Sequence, residues 1–297
     1  MTRSSASSAG VALLAAILAA ALGGCVVSPP YNPQPAAQPP PLADEGVVEQ
    51  ASEPPPPLPV YEQPPCPEEG YIWTPGLWRW GPEGYYWVPG TWVAPPQVGM
   101  LWTPGFWALA GAVYVFHVGH WGNHVGYYGG INYGGGYVGS GYVGGRWVNN
   151  RFQYNTAVSN VNVTNVHNTY VDKTVINNVT INRTSYTNTT VNNTNELHNS
   201  YVGAAGAARP EPTKAETGAA GEPHYAATAP QTQHQVAARA NPMQNAARNE
   251  GRPPVAATPR PGAFEAHEVT AAKPVGPAYH PQRAQGSEEK GHDEEHH

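Results

Sequence analysis

The sequence has little of what usually holds a chain of this length together or binds it to nucleic acid. Cysteine occurs only twice among 297 residues, so disulfides cannot staple a large domain and packing must stabilise it. Charged residues make up only 12% of the chain, and no basic patch occurs that would neutralise phosphates. We therefore expect no nucleic-acid partner.

A hydrophobic run long enough for a membrane span is also lacking at the N-terminus. The apolar stretch from Val11 to Leu22 is too short to cross a bilayer, and a single basic residue, Arg3, precedes it. This pattern is typical of a secretory signal peptide, which we assign to residues 1–24.

The end of this stretch, Leu22-Gly23-Gly24-Cys25, resembles a bacterial lipobox. The resemblance implies that Cys25 becomes the mature N-terminus and carries lipid, and several acyl chains hold a protein stably on a membrane. Val26 follows the cysteine where an aspartate would often retain the protein in the inner membrane, so we expect the outer membrane. An ordinary signal peptide with free secretion is the alternative.

The expected state of the second cysteine, Cys66, follows from this assignment. Lipidation of Cys25 leaves Cys66 as a free thiol or an intermolecular partner, whereas a Cys25–Cys66 disulfide is the competing interpretation. The surroundings of Cys66, QPPCPEEG, hold no neighbouring base that would activate it as a nucleophile.

Proline and glycine are abundant, with 33 residues each, and they divide the chain by composition. Fifteen of the 42 residues from 26 to 67 are proline, which favours extended polyproline II. We predict a lipid-anchored, proline-rich linker over residues 25–67. The composition of residues 203–297, rich in alanine and proline, predicts a largely disordered tail, with short helices within Pro230–Ala240 and Pro242–Arg248.

Residues 68–122 contain a repeated motif, W-x-P-G-x-W, in three intact copies and one degraded copy. The copies begin at Trp73, Trp87, Trp102 and Phe116, at intervals of 14 and 15 residues. This period is too short for a propeller blade and suits one β-hairpin per copy. The aromatic and glycine positions that define the repeat are Tyr71, Trp73, Gly76, Trp78, Tyr85, Trp87, Gly90, Trp92, Trp102, Gly105, Trp107, Phe116, Gly119 and Trp121.

The Pro-Gly pair in each copy predicts a type II turn, because glycine tolerates the positive φ that this turn requires. A two-residue loop would pair the two aromatic residues of one copy across the turn, Trp73 with Trp78 and likewise in the other copies. Such cross-strand aromatic pairs contribute roughly 0.2–1 kcal/mol each. In the fourth copy Val118 replaces the proline, so the turn signal is weaker there.

The repeats would form a meander with one aromatic face. That face is either the core of a small β domain, which we favour, or a surface that stacks on sugar rings or partner proteins.

Residues 123–202 contain a glycine- and tyrosine-rich block and then an asparagine-, threonine- and valine-rich block. In the first block aromatic residues recur between glycines, which predicts irregular, packed strands. In the second, apolar residues alternate with polar ones, a strand pattern seen at Val161, Val163, Val179 and Ile181. The predicted fold class is mainly β, a small Trp-rich hairpin or meander domain between disordered arms.

Three parts of the sequence also carry a family resemblance. They are the W-x-x-G-x-W copies, the block HVGYYGGINYGGGYVGSGYVGGRW with the following YNTAVSNVNVT, and the tail segment TAPQTQHQVAARANPMQNAARNEGRPPVAAT. Together they resemble the YXWGXW-repeat (WXXGXW) lipoproteins of Gram-negative bacterial envelopes, over most of residues 69–265. The resemblance implies no catalytic residues.

Few side chains are candidates for catalysis or metal binding. The acids between residues 67 and 202 are sparse, and no two of them stand out as the carboxylate pair of a glycosidase. His117 and His120 would face each other across the turn of the fourth copy, where they could share Zn²⁺ or Cu²⁺. Ordinary polar histidines in a turn are the simpler interpretation, so we predict no metal and no cofactor.

The sequence therefore predicts a non-enzymatic outer-membrane lipoprotein, a structural or protein-interaction module of the cell envelope. Its expected contacts are the membrane, through the N-terminal lipid, and an envelope protein or peptidoglycan. The alternative is a module that binds peptidoglycan or another glycan through exposed rows of Trp and Tyr.

Overall fold

The computed structural model describes residues 49–173, 199–203, 210–274 and 278–281. Within these ranges the chain is mainly β, as predicted. The strands are β1 (Gln50–Ala51), β2 (Ile72–Thr74), β3 (Leu77–Gly81), β4 (Gly84–Val88), β5 (Gly90–Val93), β6 (Leu101–Thr103), β7 (Phe106–Ala110), β8 (Val113–His117), β9 (His120–Gly122), β10 (Asn132–Gly134), β11 (Tyr137–Val138), β12 (Gly145–Val148), β13 (Arg151–Asn155), β14 (Thr169–Tyr170), β15 (Tyr201–Val202) and β16 (Ala257–Thr258). The helices are α1 (Lys214–Ala219), α2 (Ala229–Ala240) and α3 (Ala246–Asn249), with a 3₁₀ helix at Pro242–Gln244.

The first two copies of the motif form one long hairpin. Strand β2 pairs with β5 and β3 pairs with β4, in a single antiparallel register. Trp73 lies opposite Trp92, and Trp78 lies opposite Trp87. Each cross-strand pair therefore takes one tryptophan from each copy.

The third and fourth copies form a second hairpin of the same design. Strand β6 pairs with β9 and β7 pairs with β8, so that Trp102 lies opposite Trp121 and Trp107 lies opposite Phe116. The degraded fourth copy thus keeps its place in the architecture.

The predicted hairpin within each copy is wrong. The chain reverses between Gly81 and Gly84 in the first hairpin and between Ala110 and Val113 in the second. Tight hairpins favour turns with positive φ, because these match the twist of the strands better than a type II turn does. Gly84 has a φ of 90°, and Gly111 in the second reversal has a φ of 66°.

Other parts of the chain extend the hairpins into small sheets. Strands β1, β8, β7 and β15 form one sheet in that order, and β16, β5 and β2 form another. The added strands β15 and β16 run parallel to their neighbours, whereas β1 is antiparallel to β8. The glycine- and tyrosine-rich block contributes the pair β10–β11, and β12, β13 and β14 form a further sheet.

The aromatic face of the repeats is the core, as favoured from the sequence. The seven repeat tryptophans and Phe116 are all buried, and none is more than 7% exposed. Tyr128, Tyr137 and Tyr154 from the following blocks belong to the same cluster. The repeats therefore do not present the exposed tryptophan rows that a glycan platform requires, and that part of the alternative prediction is wrong.

The flanking segments take more part in the domain than their composition predicts. In the N-terminal arm, which we define as residues 49–66, the side chains of Ala51, Leu58 and Cys66 are in the core, and so is Ala257 from the C-terminal region. Buried indole and phenol groups need hydrogen-bond acceptors, and an extended proline-rich backbone offers unpaired carbonyls. Residues 49–66 of the linker expected over residues 25–67 therefore belong to the domain.

The two helices predicted in the tail are largely confirmed. The first is α2, and the second divides into the 3₁₀ helix and α3. The Asn241 side chain accepts a hydrogen bond from the Met243 N–H at the start of the 3₁₀ helix. Across the described ranges no helix is both long and apolar enough to cross a membrane.

Some predictions fall on other parts of the chain. The signal peptide, the lipidated Cys25 and the strand residues Val179 and Ile181 lie outside the described residues.

Candidate functional site

The Pro-Gly pairs lie in the middle of the hairpin strands, opposite each other. By the register of the first hairpin, Pro75 faces Gly90 and Pro89 faces Gly76. Proline has no N–H to donate to a strand ladder, and each hairpin divides into two separate sheets at this point.

The glycine of the motif provides space for a ring. A β-carbon on Gly76 would lie 2.3 Å from Cζ2 of Trp87, and one on Gly90 would lie 2.5 Å from Cζ2 of Trp73. The second hairpin repeats the contact between Gly119 and Trp102, at 2.7 Å to Cζ2. The first aromatic residue of each copy therefore packs on the glycine of the copy that faces it.

This role replaces the one predicted from the sequence. Gly76, Gly90, Gly105 and Gly119 are not among the glycines with a positive φ, so the predicted type II turns are wrong. The glycines are required by the close approach of a ring and of the facing backbone, which a side chain would prevent.

The aromatic pairs across each hairpin have edge-on or tilted geometry. The ring centroids of Trp73 and Trp92 are 5.4 Å apart, and those of Trp78 and Trp87 are 5.0 Å apart. These separations fall within the range that aromatic pairs prefer, and each such pair adds about 0.5–1.5 kcal/mol beyond the buried area.

The second tryptophan of each copy in the first hairpin also donates a hydrogen bond to the N-terminal arm. Trp78 Nε1–H donates to the carbonyl of Pro57 at 3.1 Å, and Trp92 Nε1–H donates to the carbonyl of Pro64 at 2.8 Å. The arm is thereby fixed along the first hairpin by two residues of the repeat itself.

Other side chains continue this row of donors along the arm. The hydroxyl of Tyr85 donates to the carbonyl of Glu53 at 2.8 Å, and the hydroxyl of Ser200 donates to that of Pro55 at 3.1 Å. Further along, the carbonyls of Glu62 and Gln63 accept from Thr270 Oγ1 and Asn160 Nδ2, each at 2.7 Å. Between residues 53 and 64 the arm thus binds mainly through backbone carbonyls and side-chain donors.

The arm also buries apolar surface. The side chains of Pro55, Pro56 and Leu58 are buried, whereas Pro57 is exposed. The Tyr61 ring packs edge-on against Trp87 at 6.0 Å, and its hydroxyl accepts a hydrogen bond from the Gly76 N–H at 3.0 Å. That bond gives the Gly76 N–H an acceptor at the point where the strand ladder of the hairpin is interrupted.

The start of the arm is fixed by charge. The carboxylate of Glu49 forms an ion pair with Arg79 at 2.6 Å and accepts a hydrogen bond from the Trp80 N–H. The guanidinium of Arg79 lies over the Phe116 ring, 4.4 Å from its centroid. The carboxylate therefore connects both hairpins to the first residue of the arm.

The C-terminal region binds the hairpins from another side. Trp87 Nε1–H donates to the carbonyl of Ala256 at 2.9 Å, and Trp121 Nε1–H donates to Gln231 Oε1 at 2.8 Å. The imidazole of His234 is buried between the carbonyl of Pro89 and the N–H of Gly262, at 3.0 Å from each. Burial lowers the pKa of His234 to about 4.

The two candidate metal ligands do not face each other as predicted. His117 lies opposite Phe106 on β8, and His120 lies opposite Thr103 on β9. Both line a shallow, open depression of about 430 Å³. Burial lowers the pKa of His117, and burial together with the nearby His224 lowers that of His120 to about 4.

No arrangement for metal binding is found in the described ranges, where no three His, Cys, Asp or Glu side chains come together as a metal site. His120 instead stacks on His224, with ring centroids 3.7 Å apart.

Cys66 is a buried free thiol, and burial raises its pKa to about 11. Its Sγ donates to the carbonyl of Glu68 at 3.1 Å. Because the thiolate is the reactive form, this environment does not suit a nucleophile.

Sequence reasoning found the aromatic residues of this site but missed the arm. The only signal was the coincidence of a proline-rich segment with a neighbouring excess of tryptophan and tyrosine. The candidate site is the surface that holds residues 53–65, formed by the first hairpin together with Asn160, Ser200 and Thr270, and we call it the arm groove.

Comparison with protein families supports this division of the repeat region. The WXXGXW repeat matches in two copies, at residues 70–93 and 98–121, and each match coincides with one hairpin of two motifs. Comparison with curated proteins and with solved structures finds no match. The unit that the family model matches thus coincides with the double-motif hairpin, and the chain contains two copies of the WXXGXW repeat.

Proposed function

We propose that this protein is a non-enzymatic lipoprotein of the outer membrane, whose repeat domain is a structural and protein-interaction module of the cell envelope. The observation that carries the proposal is the use of the repeat aromatics. Trp78, Trp87, Trp92 and Trp121 are buried, and each donates its indole N–H to a segment outside the repeats. The hairpins thus hold the segments that flank them, which supports a structural role.

The lipid anchor is supported by Leu22-Gly23-Gly24-Cys25 and by the position of the arm. Between Cys25 and Glu49 lie 23 residues, from 26 to 48. A chain of this length spans at most about 80 Å when fully extended. Such a tether would allow the module to reach partners at some distance from the membrane surface.

An envelope protein is the expected partner. A protein-interaction role agrees with several exposed aliphatic side chains, among them Val98, Val163 and Val171. The proposal assigns no cofactor and no catalytic residue to the chain.

The test of the anchor is a cell fractionation that compares the natural chain with Cys25→Ser. The natural chain should take up radiolabelled fatty acid and sediment with the outer membrane, whereas Cys25→Ser should do neither. Cys66→Ser is the matched control, because it removes the other cysteine and should leave labelling unchanged. Equal sedimentation without fatty-acid label in all three chains would contradict the lipid anchor.

A further inference from the structure

The sheet of β1, β8, β7 and β15 has one face that is turned away from the core. Side chains alternate between the two faces of a strand, so the neighbours of the buried Trp107 and Phe116 point outward. The outward positions, which we call the outer face, include Phe106, Ala108, Val113, Val115, His117 and Val202. All of these except Phe106 are half-buried or exposed, and none is an Asp, Glu, Lys or Arg.

The outer face is more apolar than a surface in contact with water needs to be. An antiparallel sheet with one solvated face normally carries polar side chains there, yet Val113 and Val115 occupy successive outward positions of β8. Beyond the end of β8, Val118 is 59% exposed and lines the same shallow depression as Phe106 and Val202. A contiguous exposed apolar patch marks a surface that binds a protein or a membrane.

The first hairpin shows the equivalent face in a covered state. By position in the motif, Ala108 and Val115 correspond to Arg79 and Tyr86, which are paired in the same register. The helix α2 packs against β4 there, and Arg79 Nη1–H donates to Gln235 Oε1 at 2.8 Å. The covered face thus carries polar groups that the helix satisfies, whereas the outer face is open and carries aliphatic groups.

The path of the chain indicates what the outer face contacts. Strand β1 is the edge strand of this sheet, and Gln50 lies opposite Val115. In the sequence, residues 26–48 connect β1 to Cys25. A chain anchored through Cys25 therefore enters the domain at the sheet that carries the outer face.

The chemistry of the outer face suits the interfacial region of a bilayer. Moving it there would desolvate no carboxylate, ammonium or guanidinium group, and the burial of such groups is what makes membrane contact costly. Burial lowers the pKa of His117 from its ordinary 6.5, so this side chain is neutral at pH 7.

We propose that the outer face rests on the surface of the lipid bilayer, so that the module lies against the membrane to which it is tethered. This orientation rests on the lipid anchor of the proposed function, but the contact itself needs only the outer face. Because the face has no cationic side chain, the contact depends on apolar burial and does not require anionic lipid.

The experiment uses the mature chain, residues 25–297, with Cys25→Ser, which keeps every described residue and carries no lipid. It is sedimented with vesicles of phosphatidylethanolamine and phosphatidylcholine, with which it should associate. Val115→Glu should weaken that association at least about tenfold, because apolar contact is lost and a carboxylate must be desolvated. Val98→Glu is the matched control and should bind like the parent chain, since Val98 is 56% exposed in the connection between the two hairpins.

A thiol-reactive, environment-sensitive dye provides the second measurement. Cys66 is buried, so the dye should label only an introduced cysteine. Addition of vesicles should shift the emission of dye on Val118→Cys to the blue, because residue 118 lies beside the outer face. Dye on Val98→Cys, at a position of similar exposure, should not respond.

Near-UV circular dichroism shows whether each variant is folded. If Val115→Glu does not fold, Val113→Thr with Val115→Thr takes its place, because threonine keeps the shape of valine and favours a strand. A folded parent chain that does not sediment with vesicles would overturn the proposal and leave a protein as the occupant of the outer face. Binding only to vesicles that also contain phosphatidylglycerol would contradict it too, since the attraction would then be electrostatic.

The two proposals fail separately. A natural chain that takes up no fatty acid would contradict the anchor, whereas vesicle binding is measured on a chain without lipid. Equal vesicle binding by Val115→Glu and Val98→Glu would contradict the role of the outer face and leave the anchor untouched.

Discussion

The indole ring of Trp87 lies directly against Gly76 on the facing strand, so that a β-carbon at residue 76 would be 2.3 Å from the ring. The same contact occurs in reverse between Trp73 and Gly90. Two copies of the motif therefore complete each other, and a single copy would leave its aromatic residue without a glycine to pack on. This explains why the motif occurs in pairs joined by a tight turn.

Gly76→Ala should destabilise the protein by about 1–3 kcal/mol, because the added methyl group overpacks the core against Trp87. Chemical unfolding followed by tryptophan fluorescence measures the effect. Gly218→Ala is the matched control, since Gly218 lies in α1 with no neighbouring atom within 4 Å of the new β-carbon. That change should be neutral or stabilising by up to about 1 kcal/mol. Equal effects of the two substitutions would contradict the role given to Gly76.

Val118→Pro should be tolerated, because Val118 occupies the motif position that is proline in the three intact copies and is 59% exposed. A proline that fits its site stabilises the folded protein by up to about 1 kcal/mol, because it reduces the conformational entropy of the unfolded chain. The readout is the midpoint of thermal unfolding.

Val115→Pro is the comparison for this change. Val115 lies in β8 and pairs with both Gln50 and Ala108, so proline there interrupts a central strand. We expect a loss of about 3 kcal/mol or more. A large loss from Val118→Pro as well would show that the fourth copy differs in geometry from the other three.

Stability should fall in acid through His234. Burial lowers its pKa from the ordinary 6.5 to about 4, and Nδ1 accepts a hydrogen bond from the Gly262 N–H only while it is unprotonated. The unfolded chain binds this proton more readily than the folded one. The contribution of neutral His234 to the free energy of unfolding is therefore complete above pH 6.5 and is lost as the pH falls towards 4. The full effect is about 3 kcal/mol.

His234→Gln isolates this effect. The variant should be less stable than the natural chain at neutral pH, and the difference should shrink as the pH falls from about 7 to about 4. Urea unfolding at several pH values measures it. His267→Gln is the control, because His267 is exposed and its replacement should change stability little. A difference between His234→Gln and the natural chain that does not change with pH would exclude His234 as the titrating group.

Cys66 should resist alkylation in the folded protein. It is 2% exposed, and burial raises its pKa to about 11, so little thiolate forms at neutral pH. Mass spectrometry after iodoacetamide treatment should show slow labelling in buffer and rapid labelling in denaturant. An unreduced chain that stays unlabelled in denaturant would instead indicate a disulfide, the competing interpretation of the two cysteines.

The repeat pattern predicts the β structure of residues 68–122 but not the pairing of their strands. Tryptophans spaced around Pro-Gly predict β structure and a cross-strand aromatic pair. The choice between Trp78 and Trp92 as the partner of Trp73 depends on where the chain reverses. The sequence offers two candidate turns, Pro75-Gly76 and the segment from Gly81 to Gly84. Local sequence rules favour Pro75-Gly76, whereas the chain reverses at the second.

The sequence by itself determined the β class, the burial-prone aromatic repeat and the approximate positions of α2 and α3, though not α1, because these follow from residue type and short-range spacing. Only the tertiary structure decided that the Pro-Gly pairs lie within strands, since that depends on rings from the facing copy. It also decided that residues 49–66 belong to the domain. A proline-rich segment is extended whether it is free or bound. Its local sequence therefore cannot show that indole and hydroxyl groups of the domain donate hydrogen bonds to its carbonyls.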